Sequence, residues 1–248
     1  MAEIMQLDDP RLTKVLSYPK FCEEKYHNVV EELKTMSVEN IASMGRLQLG
    51  KFHALGKGCI SVVIAGNIHG RTVALKVLRS DANRLDLMGE ASRLSMANEC
   101  GVGPRLIASA KHVIAMDYIE GSYLIRWLKE ARAKEELVGV LREILKQCYE
   151  LDQVGLDHGE LSNAKKHILI DSRGSPFIID FETASTKRRA RNLISILSYI
   201  FLNENIATLI CKCVEWEDNA FLNSIRNYKH DPSKATYEAI LSTINFVD

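Results

Sequence analysis

Two charged residues lie in segments whose other residues are mostly apolar. Lys76 interrupts residues 73–78, which read Val-Ala-Leu-Lys-Val-Leu and predict a strand that is apolar on both faces. In the helical pattern of residues 81–99, Glu90 falls on a stripe that is otherwise apolar. An isolated charge buried away from water is very costly, so we expect the ammonium and the carboxylate to pair. Exposure at the edge of the strand or helix is the alternative for each residue taken alone.

A glycine-rich stretch precedes this pair in the chain. Residues 56–61, Gly-Lys-Gly-Cys-Ile-Ser, connect two predicted strands. Glycine lets backbone N–H groups approach a phosphate closely, so the stretch is a candidate phosphate-binding turn. An ordinary hairpin turn explains the same pattern. No Gly-Lys-Ser/Thr follows at Walker spacing, which excludes a P-loop.

Two acidic residues flank a predicted hairpin in the second half of the chain. Asp180 ends the apolar strand of residues 177–180, and a carboxylate at a strand end that opens on a cleft suits a hard cation such as Mg²⁺. Glu160 lies in the polar loop of residues 157–166, just before the hairpin. A turn-capping aspartate and a solvated glutamate are the alternatives.

The elements that must position these residues change type along the chain. Strand patterns concentrate between Gly45 and Ile119, whereas helical patterns fill most of the chain after Ile119, so we predict an α+β, bilobal fold. We expect three parts: a short N-terminal helical extension, with a second short helix near Ser37, then a β-rich N-lobe, then a reduced helical C-lobe. Their ranges are 1–45, 46–120 and 121–248.

Composition and charge exclude several classes of protein. Lys and Arg number 32, as do Asp and Glu, so the zero net charge excludes a uniformly basic nucleic-acid coat. The six cysteines are scattered without a CxxC pair, which predicts free thiols in a reducing, cytoplasmic compartment. We expect no secretory signal at the N-terminus. The longest apolar stretch, residues 193–202, is too short to cross a bilayer, so we expect no membrane partner.

A local basic cluster is hidden by the balanced total. It is either the solvated start of a helix or a docking site for a phosphoprotein, RNA or nucleotide. Its members are Lys187, Arg188, Arg189 and Arg191.

The order of these motifs resembles that of the protein kinases. A glycine-rich hairpin, Val-Ala-Leu-Lys, a helical Glu, a His-Gly-Glu-Leu loop and an Asp-Phe pair after a hairpin succeed one another over roughly residues 47–202. The sequence looks most like the small atypical kinases: the RIO kinases, the kinase subunit of the KEOPS complex and the Kdo kinases. It is most similar to archaeal predicted serine/threonine kinases with an Asp-His-Gly-Glu-Leu loop.

This resemblance implies roles for individual residues. Lys76 would hold the α- and β-phosphates of ATP and pair with Glu90, and Asp180 would bind Mg²⁺. Backbone groups of Asp117 and Ile119 would bind adenine. The residues implied to contact the nucleotide are Gly56, Lys57, Gly58, Ser61, Val63, Ala74, Lys76, Glu90, Met116, Asp117 and Ile119.

Three positions depart from the kinase pattern. Glu160 stands where kinases have a catalytic Asp, and its side chain is one methylene longer. His167 occupies the position of the metal-binding Asn, although imidazole is a poorer ligand for Mg²⁺ than an amide oxygen; Asn163 could reach the metal from within the longer loop. Glu182 replaces the glycine that usually comes after Asp-Phe.

We therefore expect an ATP- and Mg²⁺-dependent phosphotransferase, an atypical serine/threonine protein kinase with Glu160, Lys76 and Asp180 as its catalytic residues. Its acceptor would be a protein hydroxyl, including one on its own chain. The departures keep a non-catalytic nucleotide-binding scaffold open. An ATPase switch in an RNA-processing assembly and a small-molecule kinase are further alternatives.

Overall fold

An antiparallel sheet forms most of the first of two compact units into which the chain divides. The computed structural model describes residues 3–130, 133–211 and 213–246. The first unit runs to Ser95 and also contains Pro104–Ile119, and the second contains Met96–Gly103 and the chain from Glu120 onward. The mixture of antiparallel strands and helices confirms the predicted α+β class.

Strands β6 and β7 are the centre of the first unit. They pair over their full length, from Ser61 opposite Leu78 to Ile68 opposite Arg71. Among the described strands, the sheet order is β1-β2-β6-β7-β9-β8, with β5 also paired to β6. The elements that begin in this unit are β1 (Glu3–Met5), α1 (Thr13–Leu16), α2 (Glu23–Thr35), β2 (Val38–Ser43), β3 (Leu47–Leu49), β4 (Phe52–Ala54), β5 (Gly56–Lys57), β6 (Ser61–Ile68), β7 (Arg71–Leu78), α3 (Met88–Glu99), β8 (Leu106–Ser109) and β9 (Val113–Asp117).

The first 45 residues are part of this sheet and its core. Strands β1 and β2 pair with each other, and β2 pairs with β6, so a purely helical extension is wrong for the described residues. The short helix predicted near Ser37 is wrong as well, because the chain forms β2 there. Pairing with β6 satisfies its backbone and buries Val38 and Ile41, and this tertiary contact overrides the weak local helical pattern.

Helix α2 packs its apolar stripe into the core of the same unit. Val29, Val30 and Leu33 are buried in one cluster with residues of β2, β6 and β7. Glu32 of α2 accepts a hydrogen bond from the backbone N–H of His112 at 2.8 Å, which ties the helix to the start of β9. The N-terminal segment thus packs on the predicted N-lobe.

The second unit is mainly helical and contains two small antiparallel sheets. The predicted hairpin of residues 168–180 is confirmed, because β11 and β12 pair from Ile168 opposite Ile178 to Ile170 opposite Pro176. The wholly helical C-terminus predicted beyond Lys187 is wrong in one place, where β13 and β14 pair. The elements are β10 (Gly121–Tyr123), α4 (Leu124–Lys129), α5 (Lys134–Gln153), β11 (Ile168–Asp171), β12 (Pro176–Ile178), α6 (Asn192–Phe201), α7 (Glu204–Ile210), β13 (Val214–Trp216), α8 (Asp218–His230), α9 (Lys234–Thr243) and β14 (Ile244–Phe246).

Helices α5 and α6 contain much of the core of the second unit. The stripe predicted on α5 is buried, including Leu141, Ile144 and Cys148, and Gly155 comes after the helix with a φ of 69°. Within the described residues, no single helix is long and apolar enough to cross a membrane. Helices α6 and α7 reach that length and composition only as a pair bent by 77°, and most of α6 is buried inside the protein.

Candidate functional site

Lys76 and Glu90 form a buried ion pair in the first unit. The Nζ of Lys76, in β7, lies 2.5 Å from Oε1 of Glu90, in α3, and the two side chains are only 5% and 6% exposed. The predicted pairing is confirmed. Burying two charges costs about as much in desolvation as their attraction returns, so such a pair contributes little net stability.

The register of the sheet places an apolar surface beside this ammonium. Val63 lies directly opposite Lys76 in the β6–β7 pair, and Met116 lies opposite Ala74 in the β7–β9 pair. Residues opposite each other, or two apart along a strand, share one face of a sheet. Val63, Ala74 and Met116 therefore share a sheet face with Lys76, which suits an apolar ring whose attached anion meets the ammonium.

The end of β9 and the residues after it carry backbone groups that the predicted adenine contacts require. The N–H of Asp117 already donates to the carbonyl of Arg105 at 2.9 Å, so this donor is not available to a ligand. Its carboxylate lies 3.8 Å from Arg71 and 3.6 Å from Arg105. In the part of the chain that the structure describes, the N–H of Ile119 has no hydrogen-bond acceptor. Ile119 thus has a backbone donor available on this segment, and the carbonyl of Asp117 as an adenine contact stays a prediction.

The turn of residues 56–61, called the glycine turn below, exposes backbone donors. The N–H of Gly58 donates to the carbonyl of Ser61 at 2.9 Å, which closes the turn. Within the described residues, the N–H groups of Cys59 and Ile60 have no acceptor. A Cβ on Gly56 would meet no atom within 4 Å, so the glycine leaves open space above the turn. Two free donors at an open turn suit an anion such as a phosphate.

In the second unit, His158 fixes the loop that carries Glu160. Its side chain is fully buried, and its Nε2 lies 3.0 Å from the carbonyl of Ile179. Its ring packs edge-on against Phe181, with centroids 5.1 Å apart. Burial lowers the pKa of His158 to about 4, so the imidazole is neutral near pH 7 and donates from Nε2.

Asn192, at the start of α6, holds the same loop through hydrogen bonds to its backbone. Its Oδ1 accepts the backbone N–H of His158 at 2.8 Å, and its Nδ2 donates to the carbonyl of Leu156 at 2.7 Å. Asp152 of α5 accepts both from Asn192 and from the hydroxyl of Tyr228. Burial raises the pKa of Asp152 even though these hydrogen bonds lower it. Sequence reasoning missed this anchor, because nothing local to Asn192 or Asp152 marks them as partners.

A backbone bridge and an arginine connect the loop to the segment after Asp180. Asp157 and Ser185 exchange two backbone hydrogen bonds, of 3.0 and 2.8 Å. The guanidinium of Arg188 bonds Asp157 and the carbonyl of Thr183, each at 2.8 Å. Gly159 has a φ of +88°, and a Cβ there would lie 2.6 Å from Nη2 of Arg188. The positive φ favours glycine here, whereas the contact is with the end of a flexible side chain that can shift.

Glu160, His167 and Asp180 form a cluster of possible metal ligands, called the donor cluster below. One donor atom from each lies within 4.8 Å of the other two, and Oε2 of Glu160 is 3.8 Å from Nε2 of His167. Among the described residues, the buried Nδ1 of His167 has no hydrogen-bond partner. Asp180 adopts a left-handed conformation, with a φ of 70°, which is strained for a residue other than glycine. Such strain is characteristic of functional positions.

These donors fit a divalent cation. Two carboxylate oxygens and an imidazole nitrogen can bind Mg²⁺, although the nitrogen suits Mn²⁺ or Zn²⁺ better. Ligands of one such ion lie about 3–4 Å apart, so a small rotation of the side chains brings the three into range. Asn163 lies exposed in the 3₁₀ turn Leu161–Lys166, where its N–H donates to the carbonyl of Glu160 at 3.0 Å. Its side chain as a metal ligand remains a prediction.

Two members of the basic cluster support the fold. Arg188 holds the loop as described above, and Arg189 donates to the carbonyl of Lys229 at 2.5 Å, near the end of α8. A cation is favourable at that end of a helix. No side-chain ion pair of Lys187 or Arg191 is found within the described ranges. Docking through this cluster remains a prediction.

Comparison with known proteins places these residues in a family. The model of the RIO domain matches residues 67–198, a range that contains Lys76, Glu90 and the donor cluster. The chain is also similar to MJ1211, an uncharacterized protein of Methanocaldococcus jannaschii, with 30% identity over 95 residues, which are 38% of this chain and 79% of the relative. The chain belongs to the RIO domain family, a family of atypical protein-kinase-like proteins, and has its kinase-like fold.

Proposed function

We propose that this protein is an ATP- and Mg²⁺-dependent phosphotransferase whose acceptor is a serine or threonine hydroxyl on a protein. The observation that carries the proposal is the buried Lys76–Glu90 pair, which holds an ammonium beside an apolar sheet face. The donor cluster supports the proposal, because it provides ligands for the metal that phosphoryl transfer requires.

Binding of the nucleotide uses the groups of the first unit. Lys76 would contact the phosphates, with Glu90 holding its ammonium in place, and the free N–H groups of Cys59 and Ile60 would donate to phosphate oxygens. The face formed by Val63, Ala74 and Met116 would bind adenine. The ammonium and the N–H groups would be in place before the reaction, so they would stabilise the developing charge without reorganisation.

The donor cluster supplies the remaining groups. Asp180 and His167 would hold the metal, with Asn163 as a further ligand; when bound, the ion neutralises charge on the phosphates. Glu160 is 40% exposed and accepts a hydrogen bond from Thr183 at 3.2 Å, so its carboxylate is oriented and reachable. It would take the proton of the acceptor hydroxyl as that oxygen attacks the γ-phosphate.

Transfer from labelled ATP tests the proposal. Wild-type protein with Mg²⁺ should label an acceptor protein or itself, whereas Asp180→Asn and Lys76→Met should reduce labelling at least about a hundredfold. The exposed Asp8→Asn variant is the matched control and should label normally. Equal labelling by wild type and Asp180→Asn contradicts the proposal.

A nucleotide-binding ATPase or scaffold is the second candidate. The specific observation is that Glu160 lies in the donor cluster, 3.8 Å from His167, where it can act as a metal ligand and would then not be a free base. Measuring phosphate release beside acceptor labelling separates the cases. Release without a labelled acceptor favours the ATPase, and ATP binding that depends on Lys76 without release favours the scaffold.

The partner and the compartment are further parts of the proposal. We propose docking of a phosphoprotein or RNA through the basic cluster, mainly through Lys187 and Arg191, since Arg188 and Arg189 have partners within the chain. The free thiols of the six cysteines, three of them exposed, support a reducing cytoplasm. Screening sugars and nucleosides as acceptors separates a small-molecule kinase from a protein kinase.

A further inference from the structure

Arg79 donates hydrogen bonds to two carbonyl oxygens of the glycine turn. Its backbone N–H donates to the carbonyl of Ile60 at 2.7 Å, and its Nη1 donates to the carbonyl of Gly58 at 3.0 Å. A second pair of bonds, of 2.8 and 2.7 Å, joins the guanidinium to both oxygens of Asp81 and fixes its plane. The side chain of Arg79 is only 16% exposed. These contacts engage the acceptors of the turn and leave the donors of Cys59 and Ile60 available.

The N-terminal segment of residues 18–25 holds Arg79 in turn. The ring of Tyr18 lies 5.4 Å from the guanidinium carbon, within range of a cation–π interaction. The carbonyl of Tyr18 accepts the N–H of Ser80 at 2.7 Å, and Nζ of Lys25 donates to the carbonyl of Arg79. The hydroxyl of Ser80 also donates to the carbonyl of Lys20 at 2.9 Å. Both the side chain and the backbone of Arg79 therefore contact this segment.

Tyr18 also contacts Lys57, the lysine of the glycine turn. Nζ of Lys57 lies 5.7 Å from the centre of the Tyr18 ring and 3.4 Å from its hydroxyl oxygen. Two cations thus share one aromatic ring, which draws Lys57 and Arg79 to the same side chain. A phosphate approaching the turn would then meet the backbone donors in a fixed arrangement.

We propose that the segment of residues 18–25 positions the glycine turn for nucleotide phosphates, with Tyr18 as the central positioning residue. The inference rests on the proposed function, because it assumes that the turn binds phosphate. It goes beyond the family match, which begins at residue 67 and contains neither Tyr18 nor the turn. The segment thus contributes to the affinity for the phosphate part of the nucleotide, and not for its base.

Calorimetric titration with two ligands tests this role. In Tyr18→Leu, binding of ATP with Mg²⁺ should weaken roughly tenfold, whereas binding of adenosine, which has no phosphates, should change by less than about twofold. Tyr18→Phe keeps the ring and should stay within about threefold of wild type for ATP. Phe21→Leu makes the same kind of change at an exposed ring that packs against Tyr26, with centroids 6.4 Å apart, rather than against Lys57 or Arg79, and should leave both affinities unchanged.

Two results would overturn the inference. One is unchanged ATP binding in Tyr18→Leu, and the other is an equal loss for ATP and adenosine, which a general loosening of the unit would produce. Hydrogen exchange at the amide of Gly58 without ligand gives an independent readout: exchange should accelerate in Tyr18→Leu and not in Phe21→Leu. If wild-type protein binds no ATP, the proposed function fails, while the exchange result still decides whether Tyr18 orders the turn.

Discussion

Removing one partner of the buried Lys76–Glu90 pair should destabilise the first unit far more than removing both. The side chains are 5% and 6% exposed, so water screens their charges little. Lys76→Met removes the ammonium of this ion pair, and Glu90→Met removes its carboxylate, so each single variant breaks the pair while one of its two charges stays buried. Either change should cost about 3–5 kcal/mol, a large part of the roughly 5–15 kcal/mol that stabilises a typical protein.

The double variant Lys76→Met/Glu90→Met places two apolar side chains of similar length in the same space. Its free energy of unfolding should lie within about 1–2 kcal/mol of wild type, since replacing a buried pair by apolar groups is often neutral. The double-mutant cycle should thus be strongly non-additive. Binding of ATP should nevertheless be lost in all three variants, because each lacks the paired ammonium.

The assay must follow the first unit by itself. Both tryptophans, Trp127 and Trp216, lie in the second unit, so their fluorescence does not report on β7. Hydrogen exchange of the β6 and β7 amides, followed at increasing urea concentration, provides the measurement. Arg71→Met is the control: its ion pair spans 3.8 Å with a side chain that is 67% exposed, and its loss should cost less than about 1 kcal/mol. A double variant as unstable as the sum of the single variants would refute the reasoning.

Three further predictions concern the second unit. The pKa of His158 falls from 6.5 in the unfolded chain to about 4 in the folded one, so the unfolded chain binds more protons in this window. Stability should therefore decline by up to roughly 3 kcal/mol from pH 6.5 to 4, and urea titrations should show a flatter profile for His158→Phe. Gly159→Ala should destabilise by at least about 1 kcal/mol because of its positive φ, whereas Gly139→Ala, in the exposed and open part of α5, should stabilise by about 1 kcal/mol. Thermal unfolding compares the two variants, and equal effects would contradict the argument from backbone conformation. Calorimetry should show tighter binding of Mn²⁺ than of Mg²⁺ by wild type, and His167→Asn should shift this preference towards Mg²⁺; an unchanged preference would remove His167 from the ligands.

The sequence predicted the features whose evidence is local. Lys76 and Glu90 are each anomalous in their own apolar stretch, and one contact resolves both anomalies. The hairpin of residues 168–180 was predictable for the same reason, since two short apolar runs surround a turn. A local sequence pattern is enough to predict a feature when the residues that require the feature lie within that pattern.

The features that were missed depend on distant partners. Strand β2 forms because β6 offers a free edge, and residues 38–43 alone do not show that edge. His158 and Asn192 are joined by a hydrogen bond across 34 residues, and neither type of residue is unusual at its position. Nothing in residues 1–45 indicates that Tyr18 lies against the glycine turn. Long-range hydrogen bonds and ring contacts of this kind are determined by the tertiary structure.

The bridge between Asp157 and Ser185 bears on how this unit can be controlled. Only residues 181–184 separate Asp180 from Ser185, and at Ser185 the two backbone hydrogen bonds of the bridge join the chain to Asp157. Many kinases switch between states by ordering a long loop at this point after phosphorylation. A segment of four residues is too short to contain such a loop. The chain between Asp180 and Ser185 therefore leaves no room for a switch of that kind, and the donor cluster lies beside a short segment that the bridge holds.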